Sequence, residues 1–316
     1  MGKRSYDFGF RLWTGLFGVV LVLIVVAIGF ELTRQSMLSI QKFGFNFWRT
    51  SIWDPVAGEF GALPFIWGTL YSSILALLLA TPIALGIAVF ISELCPPALR
   101  QPLVFLTELL AAIPSIVYGL WGIFVMVPAV RTLETSMPAS LRQLPIFSGP
   151  PFGVGMLSAG LILAIMVIPF TSSVAREVLK SVPMAQREGA YALGATRFEA
   201  IAAALFYART GIVGAVMLGF GRALGETMAV TMVIGNNPQV SLSLFAPQYT
   251  MAAVIANEFT EAADELYLDA LIEIGLVLFI ITLVVNSLSR LLIWSMARSA
   301  KTAPAAVPAT AAEAIA

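Results

Sequence analysis

A chain of 316 residues that is 59% hydrophobic and 11% charged, with a mean hydropathy of +0.91, reads as a polytopic membrane protein and not as a soluble domain. Its 18 Lys and Arg balance 18 Asp and Glu, so the information lies in where the charges fall. With no His and a single Cys, the chain excludes an internal disulfide, an H-E-x-x-H metal site and a Ser-His-Asp triad; no metal, cofactor or nucleic-acid site is expected.

Six apolar runs are long enough to cross a hydrocarbon core of about 30 Å, which takes about 20 helical residues. They cover residues 12–30, 66–91, 103–130, 152–175, 211–235 and 269–295, and they predict an all-α fold of about six transmembrane helices. The first follows Lys3, Arg4 and Arg11, and Ala27-Ile28-Gly29 imitates a cleavage site, yet its length favours an anchor over a signal peptide. Pro114, Pro128 and Pro169 are expected to kink or break the third and fourth runs, and Pro82 to kink the second. Cys95, beside Pro96 and Pro97, reads as a bystander thiol.

Charge sets the expected topology. With a cytoplasmic amino terminus, segments 1–11, 92–102, 176–210 and 296–316 lie inside and carry most of the Lys and Arg. Arg34, Lys42, Arg49, Arg131 and Arg142 fall outside, as does the acidic stretch Glu258, Glu261, Asp264, Glu265, in keeping with the positive-inside rule. Both termini are then cytoplasmic: a short segment 1–11, a membrane domain 12–295, and a tail 296–316. The Ala- and Pro-rich end of that tail, from Thr302 to Ala316, is expected to be disordered.

Residues 176–210, between the fourth and fifth runs, predict two short helices broken near Gly194, one beginning after Pro183 and one carrying Thr196, Phe198, Glu199, Ile201 and Leu205. The pair is amphipathic and mixed in charge. It suits either a membrane surface or insertion into a groove of a soluble partner.

In the fifth run Arg222 and Glu226 bring charge into apolar surroundings. Either group at mid-bilayer costs roughly 2.5 to 3.5 kcal/mol on insertion scales. They read as a neutralising i, i+4 pair that aids packing, or as part of a solute path. A guanidinium offers a planar fork of donors suited to phosphate oxygens, and Glu226 would moderate it, since conduction requires release as well as binding. Gly221 and Gly225 would let a neighbouring helix approach. Thr227 and Thr231 either face a solute or bond back to their own helix. Ser115 and Tyr118, after Pro114, are candidates for lining a pore, while Glu108 and Glu273 are expected at helix ends reached by interfacial water. No G-x-x-x-x-G-K-[ST] loop occurs, so the chain is not expected to hydrolyse ATP.

Glu188, Ala190 and Gly194 match the E-A-A-x-x-x-G core of the coupling loop in bacterial importer-type ABC permeases, with Gly189 in place of the first Ala. The usual Ile and closing Leu-Pro are replaced by Ala204 and Phe206-Tyr207. IQKFG (40–44), LLAAIPSIVYGLWGIF (109–124), SGPPFGVG (148–155), GRALGETMAVTMVIGN (221–236) and ANEFTEA (256–262) resemble the phosphate-specific Pst-type permeases, and the C-type subunit more than its A-type companion. The resemblance spans roughly residues 40–295. It implies an importer-type permease fold in a bacterial inner membrane, not an enzyme, working with an A-type permease, two copies of a cytoplasmic ATP-binding subunit and a periplasmic phosphate-binding protein, with inorganic phosphate as solute. The loop residues Glu188, Ala190 and Gly194 would then dock onto the ATPase. A permease for sulfate or molybdate would share loop and topology; a proton-coupled secondary transporter would not need the docking hairpin.

Overall fold

The computed structural model describes residues 2–301, with side chains for residues 10–296. The expected disordered stretch Thr302–Ala316 lies outside the described residues. Among those described, six helical stretches are long and apolar enough to cross a membrane: Phe10–Gln35, Leu63–Leu94, Ser115–Ser136, Met156–Lys180, Arg197–Leu224 and Glu265–Met296. They belong to α1 (Gly2–Gln35), α3 (Leu63–Val89, extended by a π turn over Phe90–Leu94), α5 and α6 (Ser115–Trp121 and Val127–Ser136, joined by a π turn), α8 (Met156–Lys180), α10 (Arg197–Leu224) and α13 (Glu265–Lys301). The shorter helices are α2 (Met37–Phe43), α4 (Pro97–Ala112), α7 (Ala139–Arg142), α9 (Met184–Ala192), α11 (Met228–Val233) and α12 (Met251–Glu258).

The third span starts later than hydropathy predicts. Pro114 disfavours helical backbone at the residue before it, and Ile113 is extended at ψ 129°, so 97–112 becomes the separate helix α4. The other prolines do not break their helices. Pro128 lies in the first turn of α6, where its missing N–H costs nothing, and α3 and α8 continue through Pro82 and Pro169.

The fifth span also differs from expectation. With no Leu-Pro at 206–207, the second helix of the hairpin continues into the membrane run as one 28-residue helix, α10. That helix stops at Leu224, and the chain turns through Gly225 into α11. The predicted single run 211–235 is therefore two helices, and a further turn follows at Gly235 and Asn236, both at positive φ.

The chain forms two compact units, divided within α3, the π turn between α5 and α6, α8, α11 and α13. The first, residues 1–71, 125–158 and 230–281, has an aromatic core. Its two-stranded hairpin, β1 (Trp53–Asp54) and β2 (Glu59–Phe60), sets Trp53 opposite Phe60. Trp53 meets Phe60 and Phe65 edge-on at 4.9 and 4.8 Å, and Phe60 stacks on Tyr267 at 5.4 Å. The Trp53 indole and the Tyr267 hydroxyl both donate to one oxygen of Glu258, at 2.8 and 2.6 Å, so a half-buried carboxylate is satisfied by the rims of the aromatic core. Burial pushes the nearby Tyr249 phenol above its usual range, against the Asn257 amide that donates to it. Glu273, expected where interfacial water reaches it, is instead 3% exposed.

The second unit, residues 72–124, 159–229 and, among the described residues, 282–301, has a core of small residues: Ala88, Ala175, Ala204, Ala208 and Ala215 with Leu179 and Val182. Small side chains let helix backbones approach, which in a membrane replaces the hydrophobic driving force with close packing. The tightest approach is at Gly219 of α10, where a methyl would overlap the Thr171 hydroxyl of α8. The expected pair is not such a point: added methyls at Gly221 and Gly225 would find nothing nearer than 3.6 and 4.0 Å.

Candidate functional site

Two places in the second unit concentrate the candidate residues. The first lies where α10 ends. Arg222, in the last turn of α10, is exposed and forms no ion pair among the described residues. Because the helix ends at Leu224, Glu226 is not one turn along the same helix, and the neutralising i, i+4 pair is absent. Glu226 instead accepts the Ala229 N–H at 3.5 Å, at the start of α11. What Arg222 meets is Phe170 of α8, with the guanidinium carbon 5.6 Å from the ring centroid. A cation over a ring face is held by the ring quadrupole while its N–H groups stay free at the edges.

Tyr118 of α5 lies within electrostatic reach of Arg222; its hydroxyl donates to the Leu110 carbonyl at 2.8 Å. Its ring borders a recess of about 260 Å³ with Ile113, Val117, Trp121 and Ile165. Ser115, the first residue of α5, is half-buried and not on that recess. The Thr227 hydroxyl donates to the Gly225 carbonyl at 3.4 Å, a bond back to its own chain. Arg222 and Tyr118 are thus within electrostatic reach of each other, and Ser115 lies off the recess that Tyr118 borders. Phe170 was not singled out from sequence, because one aromatic in an apolar helix carries no distinguishing signal. Glu108 of α4 lies 3.5 Å from Arg176, a buried guanidinium that also pairs with Glu177 at 2.8 Å.

The second place is the hairpin of α9 and α10. Gly194 has φ +83°, the left-handed conformation that lets a helix end in a Schellman motif: the Ala195 N–H reaches the Ala190 carbonyl at 3.1 Å and the Gly194 N–H that of Tyr191 at 2.9 Å. One residue later Thr196 and Glu199 form a reciprocal capping box, which starts α10. Stop and start signals this close together fold the hairpin. Glu188 is exposed and Ala190 half-buried, and beside them Met184, Leu193 and Phe198 present 65%, 91% and 79% of their surface. Large apolar side chains this open suit either a membrane surface or a partner's groove.

The chain matches, over residues 83–298, the model of the family described as binding-protein-dependent transport system inner membrane component. It belongs to that permease family. Its relatives include proteins named phosphate transport system permease protein PstC. That of Haemophilus influenzae is 48% identical over 91% of this chain and 93% of its own length. That of Mesorhizobium japonicum is 45% identical over 86% and 85%. The Mycobacterium tuberculosis protein named PstC 2 is 36% identical over 89% and 90%. This permease is accordingly a multi-pass membrane protein and a transporter subunit, not an enzyme.

Proposed function

We propose that this permease is the C-type membrane subunit of an ATP-driven importer of inorganic phosphate. It forms the translocation path with an A-type permease, couples to two copies of a cytoplasmic ATP-binding subunit, and receives phosphate from a periplasmic binding protein. In this reading residues 12–295 are the membrane domain of an inner-membrane protein with both termini cytoplasmic, and 176–210 is its cytoplasmic coupling loop. Residues 1–11 and 296–316 flank it inside.

The observation that carries the reading is Arg222, exposed and uncommitted to any carboxylate, in a chain whose relatives are named for phosphate transport. A guanidinium held by a ring keeps its fork for an incoming oxyanion. Tyr118 borders that path; Ser115 and Thr227 are assigned lesser parts in lining it. Glu226 lowers the local positive potential, so that phosphate is released as well as bound. On the inner side, Glu188, Ala190 and the Gly194 turn carry the ATPase contact, a helix-in-groove docking to which the open apolar side chains are suited.

The test is uptake of radiolabelled phosphate in cells lacking this permease and in cells given it back with its partner subunits. Restored uptake that excess unlabelled phosphate abolishes, and that excess sulfate or molybdate leaves intact, is the expected result. Abolition by sulfate or molybdate would assign the solute to another oxyanion.

A further inference from the structure

Arg187 of α9 is largely buried within the second unit. Its fork engages Glu93, in the π turn that ends α3, through both carboxylate oxygens: Nη2 to Oε1 at 2.6 Å and Nε to Oε2 at 3.2 Å. The same guanidinium donates to the Val182 carbonyl at 3.0 Å and the Leu179 carbonyl at 3.1 Å, at the end of α8 and just beyond it. Arg197, in the first turn of α10, donates to the Glu93 backbone carbonyl at 2.7 Å. The Arg187 and Glu93 side chains are 14% and 12% exposed. One largely buried ion pair therefore ties together the hairpin, the end of α8 and the end of α3.

An ion pair so placed is weak evidence for stability, because desolvating two charges offsets most of their attraction, yet breaking it from one side is strongly unfavourable. Its effect is geometric. The first helix of the hairpin, α9, joins α8 and α10 through short links, 181–183 and 193–196, whose backbones can absorb a displacement. A bidentate fork with two added carbonyl bonds does not slide, and it meets α3 at a π turn, an irregularity frequent at functional sites.

We infer that Arg187 and Glu93 form a coupling strut: displacement of the hairpin is delivered to the inner end of α3 through this pair instead of being lost in the links. The inference rests on the reading of the hairpin as the ATPase docking element. Arg187 is a positioning residue and touches neither solute nor nucleotide.

The experiment measures ATP hydrolysed per phosphate accumulated in proteoliposomes holding the complete transporter, normalised to assembled complex, for Arg187→Gln, Glu93→Gln and the double variant. The strut predicts that the ratio rises about tenfold in each single variant and no further in the double, with the ATPase still bound. Arg187→Lys keeps the charge and loses the fork, and gives an intermediate ratio; it answers the same question if Gln prevents assembly. An unchanged ratio in the variants, or effects that multiply in the double, would overturn the strut. Leu193→Asp separates this from the docking reading. If that complex retains its ATPase, the docking reading fails and the strut with it; if it releases the ATPase while Arg187→Gln keeps the wild-type ratio, the strut alone fails.

Discussion

Arg222 rests its charge on a ring although Glu226 is only four residues further on. The chain ends α10 between them and turns the carboxylate toward the Ala229 N–H, so the guanidinium is oriented without being neutralised. Arg222→Gln is expected to abolish phosphate uptake at normal membrane levels. Gln removes the positive potential that compensates an anion leaving water. Arg222→Lys falls between, since it keeps charge and loses the fork. The double change Arg222→Gln with Glu226→Gln should not recover, because the two groups are not a mutual pair; substantial recovery of radiolabelled phosphate uptake would remove Arg222 from the path. Phe170→Leu tests the ring. Losing a cation–π contact of about 0.5 to 2 kcal/mol should raise the phosphate concentration for half-maximal uptake by about twofold to thirtyfold, with Phe170→Tyr close to wild type. A Leu variant with unchanged concentration dependence would show that the ring only fills space. Arg222 was legible in the sequence because charge in an apolar run is conspicuous. Phe170 was not, since nothing in a linear apolar helix tells a ring facing lipid from one facing a guanidinium.

The hairpin is the element whose local signals agree best with its structure. Gly194 and the Thr196-x-x-Glu199 box can be read directly as a stop and a start, and both have that role. The end of α10 was hidden for the opposite reason: the run remains apolar through Gly225, and hydropathy does not register a turn whose backbone is satisfied inside a protein. At Gly194 an added Cβ meets nothing within 4 Å, so a substitution there is penalised by backbone strain and not by crowding within the chain. Gly194→Ala should therefore reduce uptake modestly, through a left-handed cost of about 1 to 2 kcal/mol. Gly194→Trp adds bulk at the surface assigned to the ATPase, and should abolish both uptake and copurification of that subunit while the permease stays in the membrane. Glu188→Lys, which reverses an exposed charge on the same helix, should act in the same direction. A Trp variant no worse than Ala would take the docking surface away from this turn.

At the scale of the molecule, six spans and an all-helical membrane fold could be read from hydropathy and length alone, because the bilayer imposes both. The division into two compact units could not, since it cuts α3, α8, α11 and α13 within their lengths, where a hydropathy profile marks no boundary. The orientation proposed from the Lys and Arg asymmetry can be tested within one chain. Gln186 and Glu261 are both exposed, and among the membrane-length helices only α10 separates them in sequence, so they must lie on opposite sides if α10 crosses. Cys95 is buried, so Cys95→Ser gives a background with no competing thiol. In that background Glu261→Cys should react with a membrane-impermeant maleimide in intact cells, and Gln186→Cys only after the inner membrane is opened. Labelling of position 186 in intact cells would invert the topology and put the proposed coupling loop on the side without ATP. Labelling of both positions in intact cells would mean that α10 does not span the bilayer, and would remove the membrane setting in which an unpaired Arg222 carries meaning.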